Sequence, residues 1–419
     1  MPDIAGFRAL TYDPSRVDLS QVVTPPYDVI DPEQRARFAQ RHPNNFVQID
    51  LPEPEGGTDR YHAAAERLER WRTDGILRRD PAPAVYRYHQ VFTDQEQGLS
   101  VTRKGLLAAV AISPWSDRVI LPHETTFAGP REDRARLLDA TRVHLSPIFA
   151  MYEDPQGEIE RMLDPHDRPP DLAATTDDGT VHQMWRIAAF DTISRLSQRM
   201  KDKCAYVLDG HHRYETMIAF RDRELRRGDA HAAGQRGLTF FVPMNDPGLI
   251  ILPTHRLVFD VKDFDRGTFL SDVQRYYQVQ TVAGGARDAA KLRHALHSAP
   301  DVPTFAAVFP GDPDAHLLSF IEHEHRSPLE PELSVLHEVI LERVLGIPAE
   351  ARKLHIRYVS NTQGALDQIA GGDAQLGLIV RPPKLTQIKQ ISDAGRVMPQ
   401  KSTYFFPKLA SGLIMMPVD

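Results

Sequence analysis

A short apolar run, Cys204 to Leu208, is followed at once by Asp209-Gly210-His211-His212-Arg213 and then by Tyr214, Met217, Ile218 and Leu225 on one helical stripe. That order predicts a buried strand, a tight turn and an amphipathic helix that begins at the turn. The glycine lets the backbone reverse sharply. The first amides of the helix then point outward from its positive end, which attracts anions. Arg213 and two imidazoles add donors suited to phosphate oxygens. In a plainer reading Asp209 only caps the helix and the histidines are ordinary surface residues. A third makes both histidines ligands for zinc, iron or manganese. Consecutive residues point about 100° apart on a helix, which argues against shared ligation.

A chain of 419 residues can bury more than one core, so two or three domains are expected. The formal net charge of −7 provides no global basic field of the kind that draws proteins to nucleic acid or anionic lipid. Neither is expected as a partner. Cys204 is the single cysteine, which removes internal disulfides and thiolate metal clusters and suggests a reducing, cytoplasmic setting. Met1 to Leu10 lacks the basic-then-apolar order of a secretion signal, and no apolar run is long enough to span a bilayer.

The rest of the chain reads as α/β (α+β). A helix is predicted over about 61–71 and strands over 84–92 and 105–112, which should pair. Residues 154–178 are rich in Asp, Pro and Gly and read as an exposed, disordered excursion. A helix over about 191–201 precedes the strand at 204. Strands 238–244 and 249–252, joined by Asn245-Asp246-Pro247-Gly248, read as a hairpin. From Phe264 onward helices and strands alternate, including a helix over 332–345. The expected domains are 1–110, 111–260 and 261–419.

Two further groups carry chemistry. Pro122-His123-Glu124 follows a strand, and a carboxylate beside a histidine in a turn suits a general base once geometry and pKa match the proton it takes. An isolated surface Glu is the bland alternative. Pro399-Gln400-Lys401-Ser402-Thr403 offers a cation and two hydroxyls to a phosphate or carboxylate, within prolines that limit loop entropy. It also reads as a basic turn before the last strand.

Phe7-Arg8-Ala9-Leu10, Thr24-Pro25-Pro26-Tyr27-Asp28-Val29-Ile30, Leu121 to Thr125, Leu145 to Phe149, Asp209 to Tyr214 and Leu252 to Arg256 together resemble the DUF1015 family over nearly the whole chain. More distantly, from about Arg118 onward, the chain resembles the free L-serine kinases of the ParB/sulfiredoxin-like superfamily, through the Pro-His-Glu turn, the Asp-Gly-His-His-Arg loop and a Pro-Lys-Thr-Thr loop. The last departs from the pattern here by one inserted residue and by Ser402.

The resemblance implies a ParB/sulfiredoxin-like central domain between an N-terminal α/β extension and a C-terminal α/β domain that closes the cleft. It implies Glu124 as base, with His123 and Asp209 in the catalytic group. Gly210, His211, His212 and Arg213 would lie at the phosphates of ATP or ADP with Mg²⁺, and Lys401, Ser402 and Thr403 at a serine-like acceptor. His211 stands where sulfiredoxin needs its reactive cysteine, and no basic recognition helix of the ParB type is visible.

The expected function is therefore transfer of phosphate from a nucleotide to a small hydroxy metabolite, with a non-catalytic nucleotide or phosphometabolite sensor as the alternative. Catalysis would require Glu124 and Lys401 on opposite sides of one cleft, facing the histidine loop.

Overall fold

The computed structural model describes residues 1–94, 98–126, 128–164, 168–228, 232–321 and 330–418. Two units emerge. One comprises Met1–Pro122, Thr126–Ile250 and Pro407–Asp419; the other comprises His123–Thr125 and Ile251–Phe406.

The first unit is organised on a nine-stranded mixed sheet. Its strands are β1 (Ile4–Ala5), β2 (Val85–Thr93), β3 (Ser100–Ala111), β4 (Ile120–Leu121), β5 (Ile148–Tyr152), β6 (Leu172–Thr175), β7 (Val181–Ile187), β8 (Ala205–Asp209) and β9 (Arg236–Pro243). They run in the order β4-β8-β5-β9-β3-β2-β7-β6, with β1 also on β3. β2 and β3 pair, as their sequences predict, and do so antiparallel. β4 with β8 and β5 with β9 are the parallel pairs.

Period-two alternation sends Leu106, Ala108 and Val110 of β3, Ile148 and Ala150 of β5, and Val207 of β8 into one core cluster. That cluster packs against Leu196 and Met200 of α2 (Phe190–Met200) and Tyr214 and Met217 of α3 (His211–Arg226). α3 also packs against α1 (Ala128–Thr141).

The second unit holds β10 (His255–Val258), β11 (Tyr277–Val282), β12 (Thr304–Val308), β13 (Ala315–Phe320), β14 (Ile356–Val359) and β15 (Leu376–Ile379), ordered β11-β13-β12-β15-β10-β14. Every neighbouring pair is antiparallel. Both faces are covered, since Phe305 and Ala307 pack with Leu336, Val339 and Ile340, while Ala306 and Val308 pack with Leu292 and Leu296 of α4 (Ala289–Ser298) and Leu366 and Ile369 of α5 (Thr362–Ala370). α6 (Leu385–Asp393) completes the unit's labelled helices. No described helix is long and apolar enough to cross a membrane.

Several expectations change. Residues 1–110 form no separate extension, because β3 pairs with β9 over six positions and makes one sheet of both segments. The final residues from Pro407 belong to the first unit, and His123–Thr125 to the second. Ile250–Leu252 pairs with Tyr404–Phe406 instead of forming a hairpin with 236–243. The 154–178 excursion is structured where described: Asp154 accepts bonds from the Glu158 and Ile159 amides at the start of the helix Glu158–Met162, and β6 pairs with β7. Residues 165–167 of that stretch lie outside the described residues. The helix expected over 332–345 is a short α-helix, Glu332–Val335, followed by a π-helical stretch, Leu336–Val344.

Gly105 marks the tightest approach in the first sheet: a Cβ there would lie 2.6 Å from the Phe240 ring and closer still to the Phe241 carbonyl. Because a paired backbone cannot move aside cheaply, Gly105→Ala should lower the unfolding free energy by about 1–3 kcal/mol in urea titration. An unchanged midpoint would mean that β9 is free to shift.

Candidate functional site

The sequence-selected residues fall into two groups, one in each unit. In the first unit β4 and β8 run parallel, so both end at the same edge of the sheet. β8 extends through Asp209, Gly210 takes φ +91°, and α3 begins at His211. The predicted strand, turn and helix are therefore present. Glycine is needed for two reasons. Its backbone lies in the left-handed region, and a Cβ would sit 3.0–3.1 Å from the Arg213 guanidinium, which folds back over it.

Arg213 Nη1 donates to Ser146 Oγ at 2.8 Å and to the Pro147 carbonyl at 2.6 Å. The arginine thus also fastens the turn before β5. His211 is buried and His212 half-buried on the first turn of α3. Among the described residues no group of three or more His, Cys, Asp or Glu side chains is placed to hold a metal ion.

Asp209 is fixed at both oxygens. Oδ1 accepts the Gly210 amide at 2.8 Å, and Oδ2 accepts Lys408 Nζ at 3.1 Å. Burial favours the neutral acid, but the Lys408 charge and hydrogen bond, with Arg213 and His211 behind it, outweigh burial and hold the carboxyl well below its ordinary range. Arg103, fully buried over the Phe149 ring, is pushed down to about 10 by burial, against the attraction of Tyr88, Asp246 and Asp209. Lys408 and Arg103 were not singled out in the sequence. Lys408 lies 199 residues from its partner, and nothing in its local pattern announces the pairing.

A further set lies beside Arg213. Arg134 covers the Tyr27 ring at 4.1 Å and pairs with buried Asp50 at 2.9 Å. Burial first, with the Asp28 charge, pushes the Tyr27 hydroxyl up to about 12, while Arg213 and Arg134 oppose it. Asp50, Arg134, Ser146, Arg213 and Thr216 line a cavity of about 40 Å³, room for a water or two, and Asp50 Oδ2 accepts no hydrogen bond among the described residues. Tyr27 sits in one of the segments that carry the family resemblance; Asp50 had no such signal.

In the second unit the Pro-His-Glu turn and the C-terminal loop meet. The Lys401 amide donates to Glu124 Oε1 at 2.9 Å across 277 residues, and His123 Nε2 lies 3.0 Å from Thr403 Oγ1. Met398 N donates to the His123 carbonyl at 2.7 Å, and Gln400 Nε2 to the Thr125 carbonyl at 3.1 Å. His123 Nε2 also lies 3.9 Å from Glu124 Oε2.

Glu124 and Lys401 are thus hydrogen-bonded neighbours on one ribbon, not opposite walls of a cleft, because backbone pairing between their segments leaves no gap. Ser402 is buried with its hydroxyl donated to the Pro399 carbonyl, so it holds the turn. Lys401 takes φ +56°, a conformation a lysine seldom adopts, and keeps its side chain exposed. Buried Arg256 donates to the Lys401 carbonyl at 3.1 Å and feels the Glu124 charge.

The Asp209–Lys408 pair gives a pH test. A carboxyl whose pKa is depressed on folding stabilises the native state above its unfolded value, near 4, and that contribution is lost as pH falls toward the folded value. Lys408→Met should therefore cost about 1.5–3 kcal/mol in urea unfolding at neutral pH, with the gap to wild type narrowing below about pH 4. A pH-independent gap would remove Lys408 as the cause of the shift.

No curated protein matches the chain. Among solved structures, a free serine kinase in complex with AMP is similar at 12% identity, covering 75% of this chain and 89% of that one, with a TM-score of 0.36. SbnI from Staphylococcus aureus, C-terminally truncated, matches at 12% over 74% and 87% with a TM-score of 0.37, and a conserved hypothetical protein from Pyrococcus furiosus at 12% over 73% and 93% with 0.34. Similarity at this level leaves the chemistry to the residues themselves. The family model described as "Protein of unknown function (DUF1015)" matches residues 4–335, most of the chain, and the protein belongs to that family.

Proposed function

We propose that this protein is a phosphotransferase that moves phosphate from a nucleotide to the hydroxyl of a small metabolite. The observation that carries the reading is the meeting of Glu124, His123, Lys401 and Thr403 in one hydrogen-bonded group from segments 277 residues apart. In this reading the donor's phosphates rest at the Asp209–Arg213 turn, on the positive end of α3 and the Arg213 guanidinium.

The acceptor oxygen attacks the terminal phosphorus as the bond to the leaving nucleotide oxygen breaks. The hydroxyl proton passes to Glu124. Lys401 offsets charge on the acceptor side, and Asp209, held by Lys408, fixes the turn. The resemblance to nucleotide-dependent kinases implies Mg²⁺, which neutralises phosphate charge when bound. The described residues offer it no ready cluster, so the nucleotide's own phosphates and water would supply most of its ligands.

Incubation with ATP or ADP, Mg²⁺ and a panel of hydroxy amino acids, followed by phosphorus NMR, should show a new phosphomonoester. Glu124→Gln should lower its rate of formation by roughly 10²- to 10⁴-fold while nucleotide affinity in calorimetry stays within twofold. Nucleotide binding without turnover in the wild type, unaltered by Glu124→Gln, would replace the catalytic reading with the sensor.

A further inference from the structure

The second unit contains a cavity of about 680 Å³ that none of the sequence motifs marked. It lies where β12 begins and β15 ends, between the C-terminus of α4 and the start of α6. A water occupies about 30 Å³ in the liquid, so the space is worth roughly twenty waters. That is the size range of pockets for drug-sized ligands and far more than an amino acid as small as serine fills.

Its charges are balanced. Arg381 and Lys384 face Glu332 and Asp301, over an apolar wall that includes Phe305 and Val380. Arg381 is already committed, donating to Glu332 Oε1 at 2.6 Å and to the Val302 carbonyl at 2.8 Å. The Lys384 ammonium donates no hydrogen bond and makes no salt bridge among the described residues, although its charge reaches Glu332, and Glu332 Oε2 likewise accepts no hydrogen bond there. One cation and one carboxylate oxygen therefore remain for a ligand. A nucleotide's polyphosphate would require an excess of positive charge, which this lining lacks. A molecule with one acid and one amino group matches it.

Met398 connects this cavity to the proposed chemistry. It is one of the residues lining the cavity, and its backbone pairs in parallel with Glu124. We infer that the cavity is the acceptor site, and that it takes a hydroxyl-bearing zwitterion larger than a free amino acid, peptide-like in class, with its acid group at Lys384 and its amino group at Glu332 and Asp301. This rests on the phosphotransferase reading for its catalytic role, though not for its binding.

The test is calorimetry on the full chain without nucleotide, using the tripeptide Gly-Ser-Leu, its N-acetyl and C-amide forms, and free L-serine. The tripeptide should bind at least tenfold more tightly than serine, and each capped form should lose about tenfold. Lys384→Ala should weaken the free acid about tenfold and leave the C-amide unchanged; Glu332→Gln should do the same for the free amine and spare the N-acetyl form. Glu332 also braces Arg381, so the exposed Lys384 provides the cleaner variant. Equal or tighter binding of serine, no binding of any tripeptide, or affinities indifferent to capping and to Lys384→Ala would overturn the assignment. Tripeptide binding of the expected pattern with no phosphate transfer would remove the catalytic reading and keep the cavity. Phosphorylation of serine that is insensitive to Lys384→Ala would do the reverse.

Discussion

The Asp209 carboxylate is the constraint on which the first unit's candidate site depends. It ends β8, accepts the amide of the glycine that turns the chain, and binds Lys408 from the closing segment of the protein. A half-buried carboxylate with its partner removed would be costly, so the ion pair holds together a strand end, a turn and a segment some two hundred residues away. Arg103 adds to the effect from a fully buried position, where its own donors are spent on Gln90 and the Pro407 carbonyl. The positive character of the turn therefore comes from α3's dipole together with side chains that cannot easily leave it.

The second unit solves a different problem, the closure of a very long loop. The backbone bridge between Glu124 and Met398 and the bonds from Gln400 and Lys401 hold the two segments in register. Part of that closure carries backbone strain at Lys401, whose positive φ aims its amide at the Glu124 carboxylate. Strain of this kind persists where surrounding bonds over-determine it, here through Arg256 on the Lys401 carbonyl and Ser402 on Pro399. The hydroxyl of Ser402, chosen from the sequence for a substrate, serves the turn instead.

Local patterns were legible wherever local physics decides. The strand, glycine and helix at 204–226 were readable because periodicity switches from two to 3.6 at a residue that tolerates positive φ. The strands β2 and β3 were readable from their apolar and aromatic patterning, and their expected pairing is present, with its antiparallel direction set by the fold. By contrast, Ile250–Leu252 has the composition of a hairpin arm but pairs with Tyr404–Phe406, since strand-forming residues do not name their partner. The 154–178 stretch, polar enough to read as disordered, is ordered where described through the Asp154 cap and an edge pairing that polarity does not disclose.

The sequence by itself determined the elements and the chemical types at the site: which residues can accept a proton, carry a phosphate-binding charge, or bend the chain. Tertiary structure alone decided the associations. It joined Lys408 to Asp209 and Lys401 to Glu124, spent Ser402 and part of Arg213 on the scaffold, and opened the cavity beside Met398. The reason is that propensity and capping act within a turn or two of the chain. Ion pairs, strand pairing and cavities depend on positions hundreds of residues apart, which only the tertiary packing within each unit brings within a few ångströms.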